Sequence, residues 1–300
     1  MIIIAILGVL GVIISIVLNF AGQATFNQEY FFRVKNTEKA YYMAVSTLPT
    51  VLKIFDADDA SYDGLTDYWA MPLPSINTKE GKITIQIEDE DRKFDPNYLL
   101  TDEKPDKWHL EQFERLLRII EADGNTANMV IDWIDTDSQL TLPGGIESDI
   151  KGINCKNSGM DSIEEFLYFI NKKEDFYGKN LKDKYCAGLK DLMTVHSGGK
   201  ININTAGKEI LMSLDPAITE DIASMILRRQ KEKPFNSINE LMDIPGINVD
   251  NLYKIQQLAD IKSFYYKIRI TVDLGEVKPS FLCVINREKN NLKPVLWKVE

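Results

Sequence analysis

Acidic residues are concentrated in one short segment of the chain, MVIDWIDTDSQLTLPGGIESDI, which runs from Met129 to Ile150. The segment begins with an amphipathic helical pattern, and its carboxylates lie beside one turn: Asp132, Asp135, Asp137, Glu147 and Asp149. The whole chain has a formal net charge of -10, and like charges repel one another. The repulsion must therefore be offset by a metal ion, by a basic partner, or by the surrounding water.

Calcium is the metal that suits this segment best. Asp135 and Asp137 alternate along a loop, so both side chains can turn towards one point, and Glu147 returns after a flexible Leu-Pro-Gly-Gly turn. Calcium takes about 6–8 oxygen ligands in irregular geometry, whereas zinc would need Cys or His, and neither is near. The loop is not an EF-hand, because counting from Asp135 puts Leu140 at position six and Ile146 at position twelve.

We therefore expect a calcium site that is formed by Asp135, Asp137 and Glu147, with Asp132 as a further candidate ligand. The alternative is a solvated acidic loop, in which Asp132 and Asp149 are surface residues. The residues alone leave both interpretations open.

Catalytic motifs are not recognisable in the sequence. The two histidines, His109 and His196, belong to no nucleophile elbow and no HExxH motif. Gly198, Gly199 and Lys200 lack the upstream glycine of a phosphate-binding loop. We expect two solvated surface histidines and no enzymatic activity.

The three cysteines, Cys155, Cys186 and Cys283, form no C-x-x-C pair, which argues against a thiolate zinc site. Cys155 and Cys186 flank a helical pattern that begins at Asp161. In an exported domain these two can form a disulfide, and Cys283 lies in a strand pattern as a buried free thiol. Three free thiols are the alternative.

The N-terminus is uncharged as far as Glu29 and almost wholly apolar from Ile2 to Leu18. This length is close to the roughly 20 residues that cross a bilayer core, and no Lys or Arg opposes insertion. A cleaved signal peptide would have a basic region before the apolar run. The pattern predicts a single membrane-spanning anchor through residues 2–20, with the cleaved signal as the alternative. Tyr41, Val45 and Leu48 then continue as an apolar helical stripe, which Pro49 interrupts.

Strand patterns flank a long helical block. Ile83, Ile85 and Ile87 alternate with polar residues, and the β-branched and aromatic stretches after residue 262 are also typical of strands. The prediction is an α+β fold with three regions. They are a membrane-spanning and amphipathic helix over 1–55, an antiparallel β-sheet formed by 56–100 and 261–300, and an all-helical insertion over 101–260.

The segment from Ile201 to Ile255 is similar to a tandem helix-hairpin-helix, as in competence-type DNA receptors. Such hairpins offer the backbone N–H groups of a glycine turn to a phosphate. Here the first turn reads DPAIT, and the second reads PGINV with Asn248 at the place of the second glycine. Arg228 and Arg229 alone would release few counterions, and an acidic chain lacks the basic face of a nucleic-acid-binding domain. We expect packing or protein contact here, and no nucleic acid.

Several features follow one another along nearly the whole chain. They are the uncharged N-terminal helix, ITIQIEDEDRKFDPN, DWIDTD with the later GGIE, ININTAGKEIL, and closing strands that end in VLWKVE. In this order they resemble the K family of minor pseudopilins of the type II secretion system. The chain departs from the family pattern at Lys93–Asn97, where a glycine-rich turn and Asn-Leu-Asn are usual, and at Ile146, where Ala is usual.

The resemblance implies a pilin-like fold and a structural protein at the tip of the secretion pseudopilus. It further implies a complex with other minor pseudopilins, contact with the major pseudopilin, and a part in starting pseudopilus assembly and secretion across the outer membrane. The chain would span the bacterial inner membrane once, with its bulk in the periplasm. The family binds calcium in its helical insertion, which supports the site predicted above.

Position 5 also fits a tip subunit. No leader that ends in Lys/Arg-Gly is visible, so we expect residue 1 to be the mature N-terminus. Most pilins carry a Glu where this chain has Ala5, and that Glu pairs with the N-terminus of a neighbouring subunit. The resembled family also lacks this Glu. A tip subunit can lack it, because no subunit lies above it with an N-terminus to pair. The alternatives are a membrane-tethered DNA receptor of a competence system and a minor pilin of a type IV pilus.

Overall fold

The computed structural model describes residues 2–56, 58, 61–147, 154–181, 184–288 and 291–300, so Asp149 lies outside the described residues. The helices are α1 Ile2–Asp56, α2 Lys107–Ile119, α3 Thr126–Ile134, α4 Phe166–Phe169, α5 Lys173–Tyr177, α6 Leu189–Leu192, α7 Lys208–Leu214, α8 Glu220–Glu232 and α9 Val249–Leu258. The strands are β1 Ile76–Asn77, β2 Lys82–Asp89, β3 Leu100–Thr101, β4 Lys104–Pro105, β5 Lys179–Leu181, β6 Lys184–Cys186, β7 Ile201–Asn202, β8 Ala259–Asp260, β9 Tyr265–Asp273, β10 Ser280–Glu288 and β11 Asn291–Val299. Short 3₁₀ helices cover Pro96–Leu99, Ile163–Glu165 and Ile238–Asp243.

Helix α1 is a single helix of 55 residues that continues through Pro49. Its first half is apolar and exposed, and by length and composition it can cross a membrane. Its second half buries Ala40, Ala44 and Phe55. The small side chains of the two alanines let the helix approach the sheet closely. The expected long helix with an apolar first half and an amphipathic second half is therefore present.

The second half of α1 packs on an antiparallel sheet with strand order β1-β2-β9-β10-β11. Burial alternates along β9, as the period of a half-buried strand requires. Tyr266, Ile268 and Ile270 face α1 and are 0% exposed, whereas Lys267 and Arg269 point to the opposite face. The predicted α+β fold, with a long N-terminal helix on an antiparallel sheet, is confirmed.

Residues between β2 and β9 form a second hydrophobic core of their own. Helix α2 contributes Phe113, Leu116 and Leu117, each 0% exposed, at the three- and four-residue spacing of one helix face. The segment is mainly helical, but it is not all-helical. It also holds the two-stranded ladders β3–β4, β5–β6 and β7–β8. The domain boundaries at residues 55, 100 and 260 stay predictions.

The second core joins the sheet through buried carboxylates at the end of β2. The Asp89 carboxylate accepts hydrogen bonds from the Ser263 hydroxyl at 2.6 Å and from the Asn202 amide at 3.3 Å. The Asp91 carboxylate accepts from the backbone N–H of Tyr265 at 2.9 Å. Both ends of the insertion are therefore fixed at one end of the sheet.

Buried carboxylates at and after the end of β2 make the stability of the fold depend on pH. Burial raises the pKa of Asp95 to about 7, and burial together with the charge of Asp91 raises the pKa of Asp89. The folded chain then holds these protons more tightly than the unfolded chain, whose Asp pKa is about 3.9. The stabilisation that comes from this tighter proton binding is complete below the pKa of the unfolded chain. It is lost as the pH rises through the pKa of the folded chain.

We therefore expect the free energy of unfolding to fall from about pH 4 to about pH 7. Asp95→Asn keeps an acceptor for the Asn97 N–H and should make the fall smaller. Denaturant titrations of the full chain in detergent at several pH values check this. A pH dependence that is the same in both proteins would contradict it.

Candidate metal centre

The acidic segment is organised by Asp132, which lies in the last turn of α3 and is 0% exposed. Its carboxylate accepts hydrogen bonds from the backbone N–H of Thr141 at 3.0 Å and of Ile146 at 2.7 Å. The loop after α3 is thereby folded back onto the helix. Asp132 is therefore a buried residue, and the solvated-loop alternative is wrong for this residue.

Gly145 allows the loop to pass this close to the carboxylate. A Cβ atom at this position would lie 2.1 Å from Asp132 Oδ2 and 2.4 Å from the carbonyl oxygen of Thr141. No other residue type fits that space without moving the backbone. The neighbouring Gly144 has φ of +77°, a conformation that glycine adopts readily.

The loop brings three of the four predicted ligands together. Asp132, Asp135 and Glu147 each offer a carboxylate oxygen, and these atoms all lie within 4.8 Å of one another. Asp137 stays outside this group, because its exposed carboxylate accepts a hydrogen bond from the Gln139 N–H at 2.6 Å. The structure therefore does not place Asp137 among the ligands.

Two oxygen atoms of this carboxylate cluster are buried and have no hydrogen-bond partner among the described residues, Asp135 Oδ1 and Glu147 Oε1. Asp135 is only 8% exposed. Burial, followed by the charges of Asp137 and Glu147, raises the pKa of Asp135 to about 6. A buried polar atom without a partner costs about 1–3 kcal/mol, and a cation among the three carboxylates would remove that cost.

The described residues offer no internal cation for the cluster. Lys156, one residue after Cys155, pairs elsewhere: its ammonium group lies 2.7 Å from Asp161 and 2.9 Å from Glu165. None of the salt bridges among the described residues includes Asp132, Asp135 or Glu147. Hard carboxylate oxygens in an irregular loop are the donor set that calcium prefers.

The predicted disulfide is absent, since Cys155, Cys186 and Cys283 are all free thiols. The Cys155 thiol donates to the carbonyl oxygen of Ile146 at 2.9 Å, beside the carboxylate cluster. Cys186 instead lies on β6, where it pairs with Lys179 of β5. The prediction of a Cys155–Cys186 bond is therefore wrong, because each thiol belongs to a different local structure. Burial, followed by the charge of Glu147, raises the pKa of Cys155 to about 11, so this thiol stays protonated.

Sequence reasoning missed Glu103, which lies in the turn between β3 and β4. Its carboxylate accepts hydrogen bonds from the backbone N–H and the hydroxyl of Thr136, the residue next to Asp135. A separation of 33 residues along the chain gave no sequence signal for this contact.

In the helix-hairpin-helix-like region, polar groups in both turns form hydrogen bonds within the chain. Asp215, in the turn between α7 and α8, accepts from the Ala217 N–H at 2.8 Å and from the Asn251 amide at 3.1 Å. Asn248 caps α9 by accepting from the Asn251 N–H at 3.0 Å. A carboxylate therefore stands in the first turn, where a phosphate would have to approach. The absence of nucleic-acid binding stays a prediction.

Comparison with known proteins gives three findings. The family model for type II secretion system (T2SS), protein K matches residues 201–262. Type II secretion system protein K of Aeromonas hydrophila is 22% identical over 317 residues, which cover 97% of this chain and 93% of that protein. A solved chain of the GspK-GspI-GspJ complex from the type 2 secretion system of enterotoxigenic Escherichia coli superposes with a TM-score of 0.68. That match has 15% identity and covers 89% of this chain and 97% of the other.

The three findings agree with the motifs that the sequence carries along its length. The matched family consists of structural pseudopilins of a secretion system and is not a family of enzymes. Its members are membrane-anchored, which agrees with the apolar first half of α1. All three findings therefore support the predicted resemblance to protein K of the type II secretion system, a minor pseudopilin.

Proposed function

We propose that this minor pseudopilin is the tip subunit of its pseudopilus. The observation that carries the proposal is the position of the insertion relative to α1. Tyr41, early in the packed half of α1, contacts Phe281, with ring centroids 5.9 Å apart. Phe55, at the end of α1, contacts Tyr266, with ring centroids 4.7 Å apart.

Tyr266 pairs with Asp89, the last residue of β2, so the insertion leaves and re-enters the sheet at this same end. The insertion therefore lies at the end of the molecule that is remote from the apolar half of α1. In a filament whose subunits all begin with a membrane-embedded helix, the next subunit lies at this remote end. A subunit with a large insertion there fits the position that has no subunit above it, as does the Ala5 in its sequence.

We infer that the partners of this tip subunit are other minor pseudopilins, because the solved structure that it resembles is a GspK-GspI-GspJ complex. The contact would run along α1. Beyond the first 20 residues, α1 still exposes large aromatic side chains, with Phe26 at 68%, Tyr30 at 64% and Phe31 at 64%. Apolar side chains in a row of this kind are stabilised when partner helices cover them.

Replacing one of these aromatic residues tests the complex. Phe31→Glu should lower the amount of partner pseudopilins that co-purify with the tagged chain from detergent-solubilised membranes. Loss of a central aromatic contact costs about 2 kcal/mol or more, which is more than tenfold in affinity. The matched control is Tyr253→Glu on α9, a residue that is 62% exposed and lies in the insertion. Equal recovery of partners with both variants would contradict a complex that assembles along α1.

A separate substitution tests the proposed membrane anchor, which would leave the bulk of the chain in the periplasm. Val12 is 60% exposed on the apolar half of α1, and Val12→Arg would place a charge near the centre of the span. The cost of insertion is roughly 2.5–3.5 kcal/mol, so membrane fractionation should show less inserted protein. Unchanged insertion together with normal secretion would refute the anchor.

We also propose that Asp132, Asp135 and Glu147 hold a calcium ion. Asp135 Oδ1 supports this most strongly, because it has no hydrogen-bond partner within the described part of the chain and its residue is 8% exposed. The three side chains would supply part of the calcium coordination shell, and loop carbonyl oxygens and water are the usual remaining ligands. When bound, the ion would neutralise the cluster and fix the loop after α3 against the insertion.

Calcium should raise the melting temperature of the chelator-treated full chain in detergent. A ligand that binds only the folded state adds about 2.7 kcal/mol at a concentration of 100 times its Kd. Asp135→Ala combined with Glu147→Ala should abolish the rise. Asp137→Ala is the control that keeps it, because Asp137 lies outside the group of ligand atoms. A melting curve that millimolar calcium leaves unchanged would refute the site.

A further inference from the structure

The turn between β3 and β4 holds two residues with an unusual backbone conformation. Leu100 pairs with Pro105 and Thr101 with Lys104, which leaves Asp102 and Glu103 as the turn. Their φ angles are +50° and +59°. A two-residue hairpin turn with both φ angles positive is most often built from Asn-Gly or Asp-Gly.

Glu103 therefore stands where glycine would be the unstrained choice. A long side chain in the left-handed region is disfavoured by contact between its Cβ and the backbone. Strain of this kind persists where the surrounding structure compensates for it, and it is concentrated at functional sites. The side chain of Glu103 makes a contact that glycine could not make.

That contact is with the loop of the metal cluster. One carboxylate oxygen of Glu103, Oε2, accepts from the Thr136 hydroxyl at 2.9 Å and from the Thr136 N–H at 3.2 Å. Thr136 directly follows Asp135, where α3 has ended and the backbone has turned to an extended conformation. The two hydrogen bonds fix the first peptide group of the loop, and with it the direction of the Asp135 side chain.

We propose that Glu103 is a positioning residue of the cation site, which acts through Thr136 to hold Asp135 Oδ1 towards Asp132 and Glu147. The inference rests on the calcium binding that is proposed above. Glu103 is not one of the three residues whose oxygen atoms meet within 4.8 Å. Its effect on calcium is therefore exerted by orientation, as for groups that hydrogen-bond to the surroundings of metal ligands.

Glu103→Gly separates this effect from folding. Glycine adopts the positive φ without strain, so the calcium-free full chain in detergent should be at least as stable as the wild type. Its calcium affinity, measured by calorimetry, should fall about tenfold, the size expected for loss of a group that orients a ligand. Asp102→Gly is the matched control, since it relieves the same turn and leaves Glu103 in place. It should bind calcium as the wild type does.

Glu103→Gln provides the rescue, because the amide oxygen can still accept both hydrogen bonds from Thr136. It should bind calcium within about twofold of the wild type, whereas Glu103→Gly should not. Binding by Glu103→Gly that equals the wild type would overturn the positioning function alone and leave the calcium site standing. Weak binding by Glu103→Gln would also overturn it, because charge and not orientation would then be the cause. A wild-type chain that binds no calcium would instead refute the site itself.

Discussion

The buried carboxylates between the sheet and the insertion are the contacts on which the arrangement of the molecule depends. Asp63, 0% exposed, accepts from the Ser263 N–H at 2.8 Å and from the Tyr266 hydroxyl at 2.7 Å, and it pairs with Arg287. Breaking a buried ion pair by removing one partner is strongly destabilising, because an uncompensated charge remains inside. Each carboxylate also requires donors in fixed directions, so the junction cannot slide without losing several hydrogen bonds. The two hydrophobic cores therefore keep one orientation.

This orientation places the functional parts of the chain along one line. The apolar half of α1 is at one end, the sheet with the packed half of α1 is in the middle, and the insertion is at the other end. Acidic residues accordingly have two distinct uses. Those at the junction, such as Asp89, are satisfied by donors of the chain itself, whereas one oxygen of Asp135 in the insertion has no partner in the residues that the structure describes. The number of acidic residues does not distinguish the two uses, but the hydrogen bonds that each carboxylate accepts do.

The sequence predicted the elements that have a period and missed those that depend on distant contacts. The alternation of Ile83 and Ile85 was sufficient to predict β2, because burial of one face of the strand imposes it. The ladder β7–β8 has strands of two residues, too short for any period. The helical pattern that begins at Asp161 in the sequence starts in the structure with a capping box of Ser162 and Glu165.

At the candidate site, sequence reasoning found the right segment and an incomplete ligand set. Asp137 was favoured because it alternates with Asp135, yet the chain turns its carboxylate to the Gln139 N–H. Asp132 was only a further candidate, since its position on a helix did not reveal that the returning loop would bury it. Glu103 carried no signal, because its contact with Thr136 exists only after β3 and β4 have paired. Local spacing predicts which residues can meet, and tertiary contacts decide which of them do.

The position of the cluster at the end of α3 adds a further reason for a cation. The carboxyl end of a helix carries a partial negative charge, and basic residues in its last turn usually compensate for it. The last turn of α3 has no basic residue, and Asp132 lies in it with Asp135 directly after it. Two carboxylates and the helix end therefore add negative potential at one buried place. A divalent cation there offsets all three contributions at once, which water at the edge of a buried site cannot do.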